Sequence, residues 1–132
     1  MSELSVESTA RAQAAAVRAR EISARELLDL HLDRITERNP QLNAIVSLDE
    51  ERAREGAWHA DQFLAAGHPV GPLHGLPFAF KDTHAVAGWR TTYGSPIFAD
   101  HVPQTDELIV ERVRRAGVVV LGKTNVPEFA AG

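Results

Sequence analysis

The sequence predicts an α/β protein in which a helical layer, about residues 1–66, precedes the start of an α/β core, about residues 67–132. Three observations carry this. Composition changes at residue 67, from Ala-, Arg- and Glu-rich segments with helical periodicity to Gly, Pro, His and β-branched residues. Two short, continuous apolar runs, at 76–80 and 118–121, read as buried strands because they do not alternate with polar residues. One segment between them carries acids at its start and bases at its end, as a helix dipole favours, so strand, crossover helix and strand form a βαβ unit with parallel strands.

The elements follow in order. Residues 8–20 are Ala-rich and predict a helix. Ser23 with Glu26 matches a capping box, and Leu27, Leu28, Leu32 and Ile35 recur at helical spacing, predicting a helix over 24–38 that Asn39-Pro40 stops. Residues 42–47 are partly β-branched and read as a short extended segment. Asp49 is placed to cap a second long helix that runs to about Ala66 and ends at Gly67. After the strand at 76–80, residues 83–104 form a long irregular connection holding Gly88, Gly94, Pro96 and Pro103, and long loops at strand ends often carry function. Thr105 is expected to cap the next helix, with Asp106 and Glu107 in its first turn and Arg112, Arg114 and Arg115 in its last. Gly117 closes it before the second strand, at 118–121.

At 132 residues and 44% hydrophobic content the chain suffices for one compact domain. Its net charge of -4 argues against a basic nucleic-acid surface. Residues 1–66 carry 8 basic against 12 acidic side chains and residues 67–132 carry 6 of each, which assigns the first half to a solvated outer layer. With no cysteine, disulfides, thiolate metal sites and a cysteine nucleophile are all excluded. The N-terminus lacks the basic start and apolar core of a signal peptide, and no apolar run reaches membrane-spanning length. The expectation is a cytoplasmic protein that binds neither membrane nor nucleic acid directly.

Lys81 is the main candidate for chemistry. It ends the apolar run Leu76-Pro-Phe-Ala-Phe80, at the carboxyl end of a parallel strand, where α/β folds place their ligands. An ammonium buried there is costly unless paired, neutralised or used, and a desolvated lysine serves as a general base near neutral pH. The plain alternative is that Lys81 pairs with Asp82 or points to solvent.

Other candidates are weaker. Gly117-Val-Val-Val-Leu-Gly122-Lys123-Thr124 matches a phosphate-loop pattern in letters, but the four residues between its glycines are the strand itself, whereas a phosphate loop needs strand, loop and helix in that order. The histidines, at 31, 59, 68, 74, 84 and 101, offer no helical pair at metal-ligand spacing, so no metal is expected. His31 reads as a boundary residue, while His74 and His84 flank Lys81 and are open to a role in lining a site. The serines, at 2, 5, 8, 23, 47 and 95, include none in a glycine-rich elbow, and Ser95 reads as part of a loop turn.

Several motifs in order resemble the amidase signature family of serine hydrolases over roughly residues 20–132. They are Gly71-Pro-Leu-His-Gly-Leu-Pro77 leading into Lys81-Asp82, Thr91-Thr92, Gly94-Ser95, the run from Asp106 to Gly117, Gly122-Lys-Thr-Asn125, and Glu128-Phe129, with the entry turn Asn39-Pro-Gln-Leu-Asn-Ala44 before them. The resemblance implies a single amidase domain with a mixed, mainly parallel sheet, acting on a small-molecule amide without metal or organic cofactor. It also implies a Ser-cisSer-Lys triad in which Lys81 matches the lysine. Both serines of that triad belong, in the family, to a glycine- and serine-rich segment beyond Glu128-Phe129. The expectation is therefore an N-terminal fragment of an amidase, inactive by itself, whose strands lack sheet neighbours and leave edges exposed. The glutamine-hydrolysing subunit of an aminoacyl-tRNA amidotransferase shares these motifs and is the alternative, as is a non-catalytic α/β module. The loop from Trp89 to Gly94 and His74 look more like general amidases.

Overall fold

A computed structural model describes residues 3–132, and Met1 and Ser2 lie outside the described residues. Helix α1, Ala10–Arg18, starts at Thr9, whose hydroxyl accepts the Ala12 N–H. Helix α2, Ala24–Leu42, opens with the reciprocal Ser23/Glu26 capping box that the sequence predicts. Asp61 of helix α3, Glu50–Ala65, adds a second cap by accepting the N–H groups of Ala24 and Arg25 at 2.7 and 3.2 Å. Helix α3 itself is capped by Asp49, as expected.

Helix α2 does not stop at Asn39-Pro40. It continues to Leu42 and ends on Asn43, whose φ of 50° is the left-handed conformation that asparagine tolerates. Proline in the last turn forfeits only one backbone bond, and the Asn39 amide secures the exit by donating to the Ile45 carbonyl at 3.0 Å and accepting its N–H at 2.9 Å. That pair joins the end of α2 to strand β1, Ile45–Leu48.

Strands β2, Pro77–Lys81, and β3, Val119–Thr124, are parallel neighbours, and β1 runs antiparallel to β3 on the other side, giving a mixed sheet of order β1-β3-β2. The crossover from β2 to β3 passes through helix α4, Leu108–Arg115, which completes the βαβ unit. Strand β3 is thus the middle strand. It has neighbours on both sides and is buried from Val119 to Lys123, against the expectation that both strands lack them. Strand β2 lies at the sheet edge, so its continuous apolar run is only half-buried apart from Phe80.

Each sheet face has its own apolar cluster. Val119 and Leu121 pack with Val17, Leu27, Leu28, Leu32, Ala53 and Ala57 under the three N-terminal helices. On the other face, Phe80 and Val120 pack with Val110 of α4 and with Val86 and Trp89 of the long connection. The acidic first half therefore covers one side of the sheet, as the charge division implies.

Helix α4 is not capped by Thr105. It begins after Glu107, with no side-chain cap, because the acids before it are engaged elsewhere. Asp106 accepts the Ala87 N–H at 2.6 Å and pairs with Arg114 at 3.2 Å, while Glu107 accepts from His84 Nδ1 at 3.0 Å and from the Ala85 N–H at 3.3 Å. Both carboxylates brace the connection at 84–88 against the helix.

Candidate functional site

Strand β2 ends on Lys81, at the carboxyl end of a parallel strand as the sequence predicts. Its burial does not follow. Lys81 is exposed, because β2 is an edge strand with a neighbour on one side only, and among the described residues no hydrogen bond or ion pair engages its ammonium. By strand alternation it shares the face of Ala79, opposite Phe80 and Asp82.

Asp82 is 1% exposed and turns away from Lys81 into a closed set of partners. One carboxylate oxygen accepts the Thr92 N–H at 3.1 Å and Lys123 Nζ at 3.3 Å, and the other accepts the Thr92 hydroxyl. Its backbone is held as firmly, N–H to the Thr124 carbonyl at 3.0 Å and carbonyl to the Tyr93 N–H at 2.9 Å. The alternative pairing of Lys81 with Asp82 is thereby replaced by a pairing of Asp82 with Lys123.

Lys123 is the fully buried lysine, at 0% exposure, inside β3. A bulge aims it. The β2/β3 pairing steps from Phe78 with Val120 to Ala79 with Gly122, so Leu121 is the extra residue, and Lys123 falls opposite Phe80 on the face of Asp82. Besides Asp82, Lys123 Nζ donates to the Thr91 hydroxyl at 2.8 Å and to the His84 carbonyl at 2.9 Å. Burial lowers its pKa from the ordinary lysine value, and the charges of Asp82 and Glu107 oppose that shift. Gly122 beside it is a packing glycine, since a Cβ there would overlap the Ser47 carbonyl of β1. The phosphate-loop letters thus lie in mid-strand, in line with the exclusion drawn from their order.

The connection at 89–96 shapes the surroundings. Ser95 is buried, donates to Glu128 Oε1 at 3.2 Å and accepts the Ile97 N–H at the 3-10 turn Pro96–Phe98, the loop turn expected of it. Asp82, Thr92, Ser95, Arg90 and Asn125 line a cleft of about 260 Å³. Lys81 lies outside its lining, and among the described residues no serine hydrogen-bonds to its ammonium, Ser47 being engaged by Arg90 and Ser95 by Glu128. His74 is buried and donates from Nε2 to the Ala60 carbonyl at 2.9 Å, which makes it a brace between loop and α3. His84 joins the Glu107 pair through its ring and the Lys123 shell through its carbonyl. His31 is held by Gln13 Oε1, 2.7 Å from Nε2, and burial lowers its pKa from the usual histidine value.

Sequence reasoning passed over Lys123, Thr91 and Thr92 as a set. The signal was present, since Lys123 follows an apolar run just as Lys81 does, but a strand ending at 121 left it outside.

These features define an α/β fold with a free lysine at one strand end and a buried ion pair behind it. Residues 26–132 match the family model for amidases, and the chain belongs to the amidase family. Among curated proteins it is 44% identical to a glutamyl-tRNA(Gln) amidotransferase chain of Acidothermus cellulolyticus, the A subunit of that enzyme, over all of this chain and 26% of that protein. Among solved structures, the peptide amidase of Stenotrophomonas maltophilia superimposes with a TM-score of 0.86 at 34% identity, covering 94% of this chain and 26% of that one. A bacterial aryl acylamidase of the amidase signature family gives 0.85 at 30% identity, with 92% and 26% covered. The chain thus spans about a quarter of the length of the proteins it matches. No helix among the described residues is long and apolar enough to cross a membrane.

Proposed function

We propose that residues 1–132 are the N-terminal part of a single amidase domain, and that the whole protein hydrolyses a carboxylic amide by a Ser-cisSer-Lys mechanism with Lys81 as general base. The observation that carries this is the position of Lys81, at the carboxyl end of a strand parallel to its neighbour, inside the matched segment and in the motif where the family has its lysine. Lys81 takes a proton from a bridging serine, which activates a nucleophilic serine for attack on the amide carbonyl. Water then releases the acyl group. The chain's own part is to hold the lysine: Asp82, tied at both backbone groups and both carboxylate oxygens, fixes the strand end from which Lys81 projects. No described serine hydrogen-bonds to Lys81, and residues 1–132 alone are expected to carry no hydrolysis. The site is cytoplasmic on this reading, and no cofactor enters.

A second reading is favoured by the 44% identity to the amidotransferase chain, higher than the 34% to the peptide amidase, and it outweighs the look of the Trp89–Gly94 loop. Glutamine is then the amide hydrolysed, with partner subunits present. The test is the complete protein assayed on L-glutamine and on simple primary amides. Lys81→Ala is expected to lower the rate about a thousandfold while leaving the melting temperature in place. Full activity of that variant overturns the general-base assignment. Preference for glutamine together with co-purifying subunits selects the amidotransferase.

A further inference from the structure

The two lysines of the chain, Lys81 and Lys123, are separated by one carboxylate, that of Asp82. A carboxylate next to a general-base lysine is a hazard, because an unpaired negative charge holds an ammonium protonated. The structure disposes of this charge in full. An ammonium has three N–H donors and no acceptor, and Lys123 directs all three to groups that need a proton: Asp82 Oδ1, the His84 carbonyl and the Thr91 hydroxyl oxygen. The Thr91 hydroxyl donates its own hydrogen to the Trp89 carbonyl at 3.0 Å, so it can only accept from Lys123. This complete set of donors and acceptors fixes Lys123 as a cation and Asp82 as an anion, in a pair closed to water.

We infer that Lys123 is a positioning residue whose task is to neutralise Asp82, so that the strand end bearing Lys81 carries no uncompensated buried carboxylate. The inference rests on the reading of Lys81 as the general base. Thr91 and Thr92 complete the device, Thr92 by donating to both carboxylate oxygens of Asp82 and Thr91 by orienting the Lys123 ammonium. The other ionisable groups around the pair are Glu107 and His84, which bind each other at 3.0 Å. Asp106, farther along, is taken by Arg114. Among the described residues no ion pair engages the Lys81 ammonium, and the Asp82–Lys123 pair is the buried charge pair next to it in sequence.

The experiment titrates Lys81 directly in the complete protein, enriched with ¹³C-lysine, with the resonance identified by its loss in Lys81→Arg. Lys123→Met leaves Asp82 uncompensated and is expected to move the Lys81 midpoint up by about one pH unit. The double variant Lys123→Met/Asp82→Asn is expected to return it to within a few tenths of a unit of the parent. Lys123→Gln, which keeps a donor for Thr91 or His84, serves where the methionine variant fails to fold and is expected to shift the midpoint in the same direction. The acidic limb of the pH–rate profile for L-glutamine and primary amide hydrolysis follows the midpoint. A midpoint common to all variants, with activity lost only through stability, overturns the inference. The general-base reading fails by a different sign, full hydrolysis in Lys81→Ala, and the titration retains its meaning in that case.

Discussion

The carboxyl ends of β2 and β3 are hydrogen-bonded neighbours running the same way, and each bears a lysine after an apolar run, yet the two lysines have opposite surroundings. On β2, an edge strand, Lys81 is exposed and free of polar partners among the described residues. On β3, the central strand, Lys123 is sealed at 0% exposure with every proton placed. Within residues 3–132, sheet position, not the apolar character of the preceding residues, goes with which lysine is buried. A central strand has walls on both sides and both faces, so a cation there survives only inside a complete shell of acceptors.

Substitution at the two lysines should separate function from stability, and the largest effect falls on the rate. Lys81→Ala is expected to lower hydrolysis by the complete protein about a thousandfold without destabilising it, whereas a comparable loss of stability at both positions would break the contrast. Next in size is Lys123→Met, which leaves the Asp82 carboxylate buried and uncompensated. Chemical denaturation is expected to show a loss of about 3–5 kcal/mol, the range for breaking a buried pair from one side. The smallest effect is expected at Gly122→Ala, where the new methyl overlaps the Ser47 carbonyl and pushes β1 away from β3. A cost of about 2 kcal/mol is expected by the same measurement. A neutral result there would mean that the close approach of β1 does not hold the register that aims Lys123.

Much of this organisation was legible in the residues. The capping box at Ser23 and Glu26, the Asp49 cap, the βαβ unit and the strand-end position of Lys81 depend on local chemistry and are present as expected. What was not legible depends on partners distant in sequence. Pro40 lies inside α2 because the Asn39 amide reaches forward to Ile45, and Thr105 caps nothing because Asp106 and Glu107 are drawn to the 84–88 segment. The burial of Lys123 depends on a one-residue bulge at Leu121, since without it the side chain would face the helices instead of Asp82. Strand register of this kind is set by packing across the sheet, and no pattern within β3 encodes it.

The contrast between the two lysines is tested most directly by amine acylation of the folded chain under native conditions, followed by peptide mapping. Rapid modification of Lys81 is expected, with Lys123 protected until the chain is unfolded in denaturant. Modification of Lys123 at a rate equal to or above that of Lys81 in the native state would contradict it.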